Sequence, residues 1–511
     1  MRLAVLALTC ALAASTPLPA AAAPAAPTVV RTQDGAVRGA AHDGYRTFEA
    51  IPYAAPPVRA LRWTAPRPPS PWTGIRDARR PAPACAQPDG EVRGGSTTED
   101  CLYLGVTAPD TATPARPRPV IVWLHGGGFT TGTGPSYDAH RMAVRGDVVV
   151  VTVDYRLGAL GFLARPGLAG SGTFGLADQQ AALRYVRDNI AAFGGDPRDV
   201  TLAGQSAGAY SVCAQLASPS AAGLFQRAVI ESGPCSGRPE RFFAPSAYPR
   251  ATAEAAGAEL TADVGCAEAA RPLACLREVP PEELLAHQGI DQHPAYGTPL
   301  LPRDPAAALA AGALRRMPVL LGANHDEGTV WAAGIVRAGT TITPATWPDV
   351  VSGFLPDPAR TPRVVHTYPV TADDGGPVLG AVIGDSDYAC PTASTARSLA
   401  RRMPVWRYEF ADPHAPRPTT TEPPFPLGAT HTTELPYLFD LGGRPRALTV
   451  AQRRLADTMI GYWTRFARSG DPNGDGAPHW PRTGVQTLLP DDIGPTRPER
   501  SHHCRLWTDH Q

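Results

Sequence analysis

The chain has 511 residues, a formal net charge of zero and 43% apolar residues, enough for a large core. Charged residues make up only 18%, which argues against a nucleic-acid or anionic-surface partner. All 47 basic residues are arginine, so chemistry that needs an amine is excluded: Schiff-base formation, phosphate-loop nucleotide hydrolysis and Ser-x-x-Lys acylation.

Residues 1–23 read as a secretory signal, with Arg2 as the positive start, residues 3–14 as the apolar stretch and Ala21-Ala22-Ala23 as the cleavage site. The apolar run is shorter than the ~18 residues of a membrane span, and Pro17 and Pro19 break the chain directly after it. A soluble, exported protein without a membrane anchor is therefore expected, as one domain over residues 24–511. Loss of Cys10 leaves eight cysteines in an oxidising compartment, and their spacing alone does not decide their pairing. No C-x-x-C pair or His-rich cluster accompanies them, so no structural zinc is expected.

Residues 28–38 and 45–53 read as short edge strands, followed by a Pro-rich surface stretch over 55–83. Residues 120–124 and 148–153 are continuous apolar runs, the pattern of strands in a sheet covered on both faces. Between the edge strands and these runs, 109–119 is a solvated connector. Apolar residues recur at helical spacing over 176–193 and stop at Gly194-Gly195. A strand over 199–203, the turn Gly204-Gln205-Ser206-Ala207-Gly208 and a helix-like segment over 210–217 come next. Further strands are expected at 228–230, 318–322 and 407–410, and an amphipathic helix at 451–468. Alternation of strands and helices predicts an α/β fold with a large, mostly parallel central sheet and helices on both faces. The stretch 471–476 resembles the start of a calcium loop. Arg482 stands where a bidentate Glu is required, so it reads as a turn and no metal is expected.

The G-x-S-x-G pattern between strand and helix holds Ser206 on a sharp turn, its hydroxyl above the sheet edge and the Ala207 N–H aimed at an attacked carbonyl. A serine hydroxyl also needs a base, an orienting acid and donors for an oxyanion. His125-Gly126-Gly127-Gly128-Phe129, directly after a buried strand, is the candidate oxyanion loop. Acid and base should come after the serine in that order. Asp326 and Glu327, after the 318–322 strand, both fit the acid, and His431 and His414, after the next strand, both fit the base.

These motifs, together with Glu99-Asp100-Cys101-Leu102-Tyr103-Leu104, residues 154–162 and Gly194-Gly195-Asp196-Pro197, resemble the type-B carboxylesterase family of α/β-hydrolases over about residues 30–507. The resemblance implies a serine esterase acting on a small-molecule ester without a cofactor. It implies Ser206, Glu327 and His431 as catalytic residues and the N–H groups of Gly127, Gly128 and Ala207 as the oxyanion hole. It further implies disulfides Cys85–Cys101, Cys266–Cys275 and Cys390–Cys504, an Arg62–Glu99 ion pair, and Ser232 behind Glu327. Cys213 and Cys235 are left over, either paired or as buried thiols. Parts of 241–248 and 286–301 are expected to wall the pocket.

Cholinesterases of this family carry a Trp in the loop closed by the first disulfide and a carboxylate before the nucleophile. Here residues 86–100 hold no aromatic and the residue before Ser206 is Gln205, which speaks against a choline ester. A secreted binding protein that keeps the fold without the chemistry, and an interfacial lipase, are the competing readings. The resemblance leaves the oligomeric state open.

Overall fold

The computed structural model describes residues 27–236, 246–289, 293–355, 357–417 and 421–508; the expected signal at 1–23 lies outside them. Its frame is one eleven-stranded sheet. In chain order the strands are β1 Ala40–Ala41, β2 Tyr45–Pro52, β3 Tyr103–Pro109, β4 Arg118–Leu124, β5 Val149–Val153 and β6 Gly195–Gln205. They continue with β7 Arg227–Glu231, β8 Val319–Asn324, β9 Val405–Phe410, β10 Val485–Leu489 and β11 Asp492–Thr496. Across the sheet the order is β11-β10-β9-β8-β7-β6-β4-β5-β3-β2-β1. From β5 to β10 every neighbouring pair is parallel, whereas β1, β2, β3 and β11 join antiparallel at the two edges.

The apolar runs split by the period of two that a strand imposes. Along β4, Val120, Val122 and Leu124 enter one core while Ile121 and Trp123 enter the other. The same alternation sends Ala228 and Ile230 of β7 to the first core and Val229 to the second. Helices α1 (Phe174–Asn189) and α2 (Ala207–Ala217) cover the first face through Leu183, Val186, Val212 and Leu216. Beyond β8 come α3 (Thr329–Arg337), α4 (Gly376–Gly384) and α5 (Cys390–Ala400). Helix α6 (Val450–Ser469) covers the second face with Leu455, Met459, Trp463 and Phe466, at the i, i+4, i+8 and i+11 spacing of one helical stripe. A capping box starts it: the Thr449 hydroxyl accepts from the Gln452 N–H, and the Gln452 side chain accepts from the Thr449 N–H.

Several expectations shift. The first edge segment forms two strands, Val29–Arg31 and Ala36–Arg38, of a separate three-stranded sheet. Its third strand, Ile75–Asp77, lies inside the stretch read as Pro-rich surface. Helix α2 starts at Ala207 rather than residue 210, because Ala-Gly-Ala carries no apolar periodicity to mark a first turn. All eight cysteines beyond the expected signal are paired: Cys85–Cys101, Cys266–Cys275, Cys390–Cys504, and also Cys213–Cys235, the pair left open.

Candidate active site

Strand β6 ends at Gln205, α2 begins at Ala207, and Ser206 between them has φ 56° and ψ −122°. Such a conformation costs a non-glycine residue about 1–3 kcal/mol and persists only where its surroundings fix it. Here the Ser206 N–H donates to the Glu231 carbonyl at the end of β7 (2.9 Å), and the Ser206 carbonyl accepts from the Tyr210 N–H (2.9 Å). The helix start lies so close to β4 that a Cβ at Gly208 would meet the Leu124 carbonyl oxygen at 2.0 Å. Ala207 opens the helix, so its N–H is one of the four donors that have no intrahelical acceptor.

The loop after β4 turns through three successive positive φ values: 98° at Gly127, 62° at Gly128 and 63° at Phe129. A Cβ at Gly127 would sit 2.2 Å from the Thr131 carbonyl oxygen, so only glycine fits. The Gly127 carbonyl accepts from the N–H groups of Thr130 (3.0 Å) and Thr131 (2.9 Å), and the Gly126 carbonyl accepts from His125 Nδ1 (2.8 Å). In a trans peptide the N–H points opposite the preceding C=O. The N–H groups of Gly128 and Gly127 are therefore turned away from these bonds. Gly127, Gly128, Ser206 and Ala207 line one cavity of about 730 Å³. His125 is buried, which pushes its imidazole down to about 4, and it stacks on Tyr155 at 4.5 Å. It is a neutral strut of the loop.

Glu327, three residues beyond β8, is fully buried. Its Oε1 accepts from the Asn324 N–H (2.8 Å), and its Oε2 lies 2.6 Å from His431 Nδ1. A carboxylate oxygen only accepts, so Nδ1 carries the proton and Nε2, the nitrogen with the lone pair, is the basic one. Asn324 ties the two loops together, donating through Nδ2 to the Thr430 carbonyl (2.7 Å) and to Glu434 Oε2 (2.5 Å). Asp326 does something else: it accepts from the Ala429 N–H (2.9 Å) and pairs with His325 (2.9 Å). His414 is exposed and does not line the cavity. His431 does, flanked by the rings of Trp331 at 4.7 Å and Tyr388 at 5.2 Å, which stack on each other.

Comparison with known proteins agrees with this architecture. The carboxylesterase family profile matches residues 26–490. The chain belongs to the carboxylesterase family. It is 35% identical over 489 residues to the para-nitrobenzyl esterase of Bacillus subtilis (strain 168), covering 90% of this chain and 93% of that one. It is 36% identical over 508 residues to the fumonisin B1 esterase of Sphingopyxis macrogoltabida, covering 92% and 87%. A solved PNB esterase superposes with a TM-score of 0.77 at 33% identity, covering 94% of this chain and 99% of that one. This carboxylesterase is thus an ester hydrolase of the α/β-hydrolase fold.

Around the esterase site two further carboxyls are buried with Glu327. Burial, then the charge of Glu327, holds Glu434 up to about 7. Burial, then Glu434, pushes Glu231 well above the carboxylate range, and its Oε1 accepts from Trp463 Nε1 (2.7 Å). The Arg62–Glu99 pair is bidentate, at 2.7 and 2.6 Å. Ser232 sits just past β7 with φ 52°, but its buried hydroxyl makes no hydrogen bond to Glu327 or to any other described residue. Of the two segments expected as pocket walls, His293 lines the cavity, while residues 241–245 and 290–292 lie outside the described residues. Trp331, next to the position three residues past Glu327 where the family carries an aromatic, lines it too; Glu91, Tyr137, Tyr388 and Arg446 also line it and were not singled out by sequence reasoning. They come from separate regions of the chain, and no local pattern links them. Among the described residues no helix is long and apolar enough to cross a membrane.

Proposed function

We propose that this carboxylesterase works through an acyl-enzyme on Ser206, with His431 as general base and Glu327 as the acid that orients it. One observation carries the reading. The imidazole with Nδ1 held by a buried carboxylate at 2.6 Å opens onto the same cavity as a serine strained onto a helix start.

In the first step His431 Nε2 takes the Ser206 proton as Oγ bonds to the ester carbonyl carbon. The carbonyl oxygen becomes an oxyanion and is held by the N–H groups of Gly127, Gly128 and Ala207. The C–O bond to the alcohol then breaks, and the imidazolium gives its proton to the leaving oxygen. Water repeats the sequence on the acyl-enzyme: His431 removes its proton, the carboxylic acid leaves, and Ser206 recovers its hydrogen. Glu327 stays ionised throughout and stabilises the imidazolium.

The substrate reading is a small ester whose alcohol has a flat or aromatic part. The Trp331–Tyr388 stack stands beside His431, the group that protonates the leaving alcohol. Relatives named as para-nitrobenzyl, fumonisin B1 and cocaine esterases support an ester with a bulky group. We place the enzyme outside the cytosol, since four disulfides suit an oxidising compartment.

Turnover of nitrophenyl esters of increasing acyl length, with Ser206→Ala as control, tests the function. Soluble short-chain esters should be hydrolysed at monomeric concentrations, and the control should be inactive. Turnover only above the solubility limit of long-chain esters would favour an interfacial lipase. Activity surviving in Ser206→Ala would remove the acyl-enzyme.

A further inference from the structure

The loop closed by the Cys85–Cys101 disulfide is tied to the turn that follows the oxyanion loop. Gln87 and Ser96 exchange two backbone hydrogen bonds across it (2.8 and 2.9 Å), and the Gln87 side-chain amide exchanges two more with the Gly132 backbone, both 2.8 Å. Glu91, midway between Gln87 and Ser96, lines the cavity of Ser206 and His431. Its side chain is exposed, yet enough protein surrounds it that burial raises its carboxyl above the ordinary value. Both hold for a group that projects into a cavity open to solvent. Its charge acts on His431, Tyr137 and Tyr155, so the carboxylate lies toward the catalytic end. Among the described residues no arginine pairs with it. Two arginines share the cavity: Arg417, paired with Glu422 (2.7 Å), and Arg446, and neither is among the charges that act on Glu91. Neighbouring carboxylates are spent on the protein itself, Asp89 on the Gly94 N–H (2.7 Å) and Glu327 on Asn324 and His431.

We propose that Glu91 is a specificity-determining residue that selects esters whose alcohol part carries a protonated amine. This rests on the esterase reading above. The carboxylate accepts from the ammonium N–H, a charge-assisted hydrogen bond roughly twice as strong as a neutral one. An ammonium placed there also offsets the cost of holding a carboxylate among low-dielectric walls. The amine belongs to the alcohol part because Glu91 acts on His431, the group that protonates the leaving alcohol. Trp331 and Tyr388, on the same side, offer ring faces to the carbon atoms around the nitrogen. Choline does not satisfy this site. Its quaternary nitrogen has no N–H to donate and keeps only the attraction of opposite charges.

The test uses the full-length enzyme and three butyrate esters: dimethylaminoethyl butyrate, its neutral isostere isoamyl butyrate, and butyrylcholine. Butyrate release is titrated near neutral pH, where the tertiary amine is protonated. The readout is the kcat/KM of each cationic ester divided by that of isoamyl butyrate, which cancels effects of the variant on the shared chemistry. In Glu91→Gln the dimethylaminoethyl ratio should fall about 10-fold, mainly through KM, the size of one hydrogen bond to a charged group. The butyrylcholine ratio should fall less. A dimethylaminoethyl ratio within about twofold of the wild type, less than such a bond contributes, overturns the proposal. An equal fall for both cationic esters overturns the hydrogen bond assigned here. Should Glu91→Gln fail to fold, the wild type decides: raising salt from about 0.02 to about 0.5 M should lower its dimethylaminoethyl ratio by screening the carboxylate, and a salt-independent ratio is the overturning result. Fluorophosphonate labelling of Ser206 reports the triad separately. Labelling without turnover of the amino ester overturns this proposal alone, whereas neither labelling nor turnover removes the esterase reading and the proposal with it.

Discussion

Among the described residues two buried histidines touch carboxylates, and they are wired differently. His431 binds one carboxylate through Nδ1 and presents Nε2 to a neutral amide and the cavity. His502, near the C-terminal end, binds Asp385 through Nδ1 (2.5 Å) and Glu409 through Nε2 (2.7 Å). Burial alone would push the His502 imidazole down. Its hydrogen bonds to Asp385 and Glu409 more than reverse this and raise it to about 10. One ring nitrogen on a carboxylate with the other facing neutral groups makes a base; a carboxylate on each makes a cation across the neutral range. His502 therefore fastens the C-terminal segment to β9 and to the π-helical stretch Asp385–Ala389 that leads into α5, next to the Cys390–Cys504 disulfide.

The comparison breaks first at Glu327. Glu327→Gln keeps the shape but removes the charge that fixes the tautomer and stabilises the imidazolium. We expect kcat to drop about 10⁴-fold, as when the acid of a serine triad is made an amide. Steady-state kinetics check this, and a loss under tenfold would mean that Glu327 does not orient the base. In His502→Gln the expected loss is in stability. Two buried carboxylates would be left without their cation, at a cost of about 3–5 kcal/mol in unfolding free energy, read from denaturant curves at neutral pH. Activity per folded molecule should be unchanged.

The same wiring sets the pH dependence of the wild type. A folded imidazole at about 10, against roughly 6.5 unfolded, stabilises fully below pH ~6.5 and loses its contribution as pH rises toward 10. Between those limits the folded state binds more protons than the unfolded one, so stability must fall. Melting curves at pH 6, 8 and 10 should show that decline in the wild type and a flatter profile in His502→Gln. Equal slopes would place the charge elsewhere. Gly127→Ala is the smaller perturbation of the active-site side. Its methyl would press on the Thr131 carbonyl, given the 2.2 Å spacing, and swing the N–H groups aside. The expected loss in kcat is about 10²- to 10³-fold with KM little changed, as for one oxyanion donor.

How much of this was legible in the sequence depends on how local each signal is. The Ser206 elbow and the glycine loop are contiguous stretches with fixed glycine positions, so pattern alone locates them. The acid is different. Asp326 and Glu327 are neighbours with the same chemistry, and their roles divide only in space: one caps the Ala429 N–H, the other reaches Asn324 and His431. The family resemblance pointed to Glu327, and local pattern could not. Strand β3 lacks a strong apolar run, and β10 and β11 form an antiparallel pair for which no strand was expected. Their pairing is set by β9 and by each other rather than by an amphipathic pattern. The Gln205–His431 contact joins positions 226 residues apart, and nothing local announces it.

The most direct measurement is mass-spectrometric mapping of a fluorophosphonate adduct on the intact enzyme. A single stoichiometric adduct on Ser206, absent in Ser206→Ala and slowed in Glu327→Gln, is the predicted result. An adduct on another residue, with esterase turnover intact in Ser206→Ala, would contradict the account.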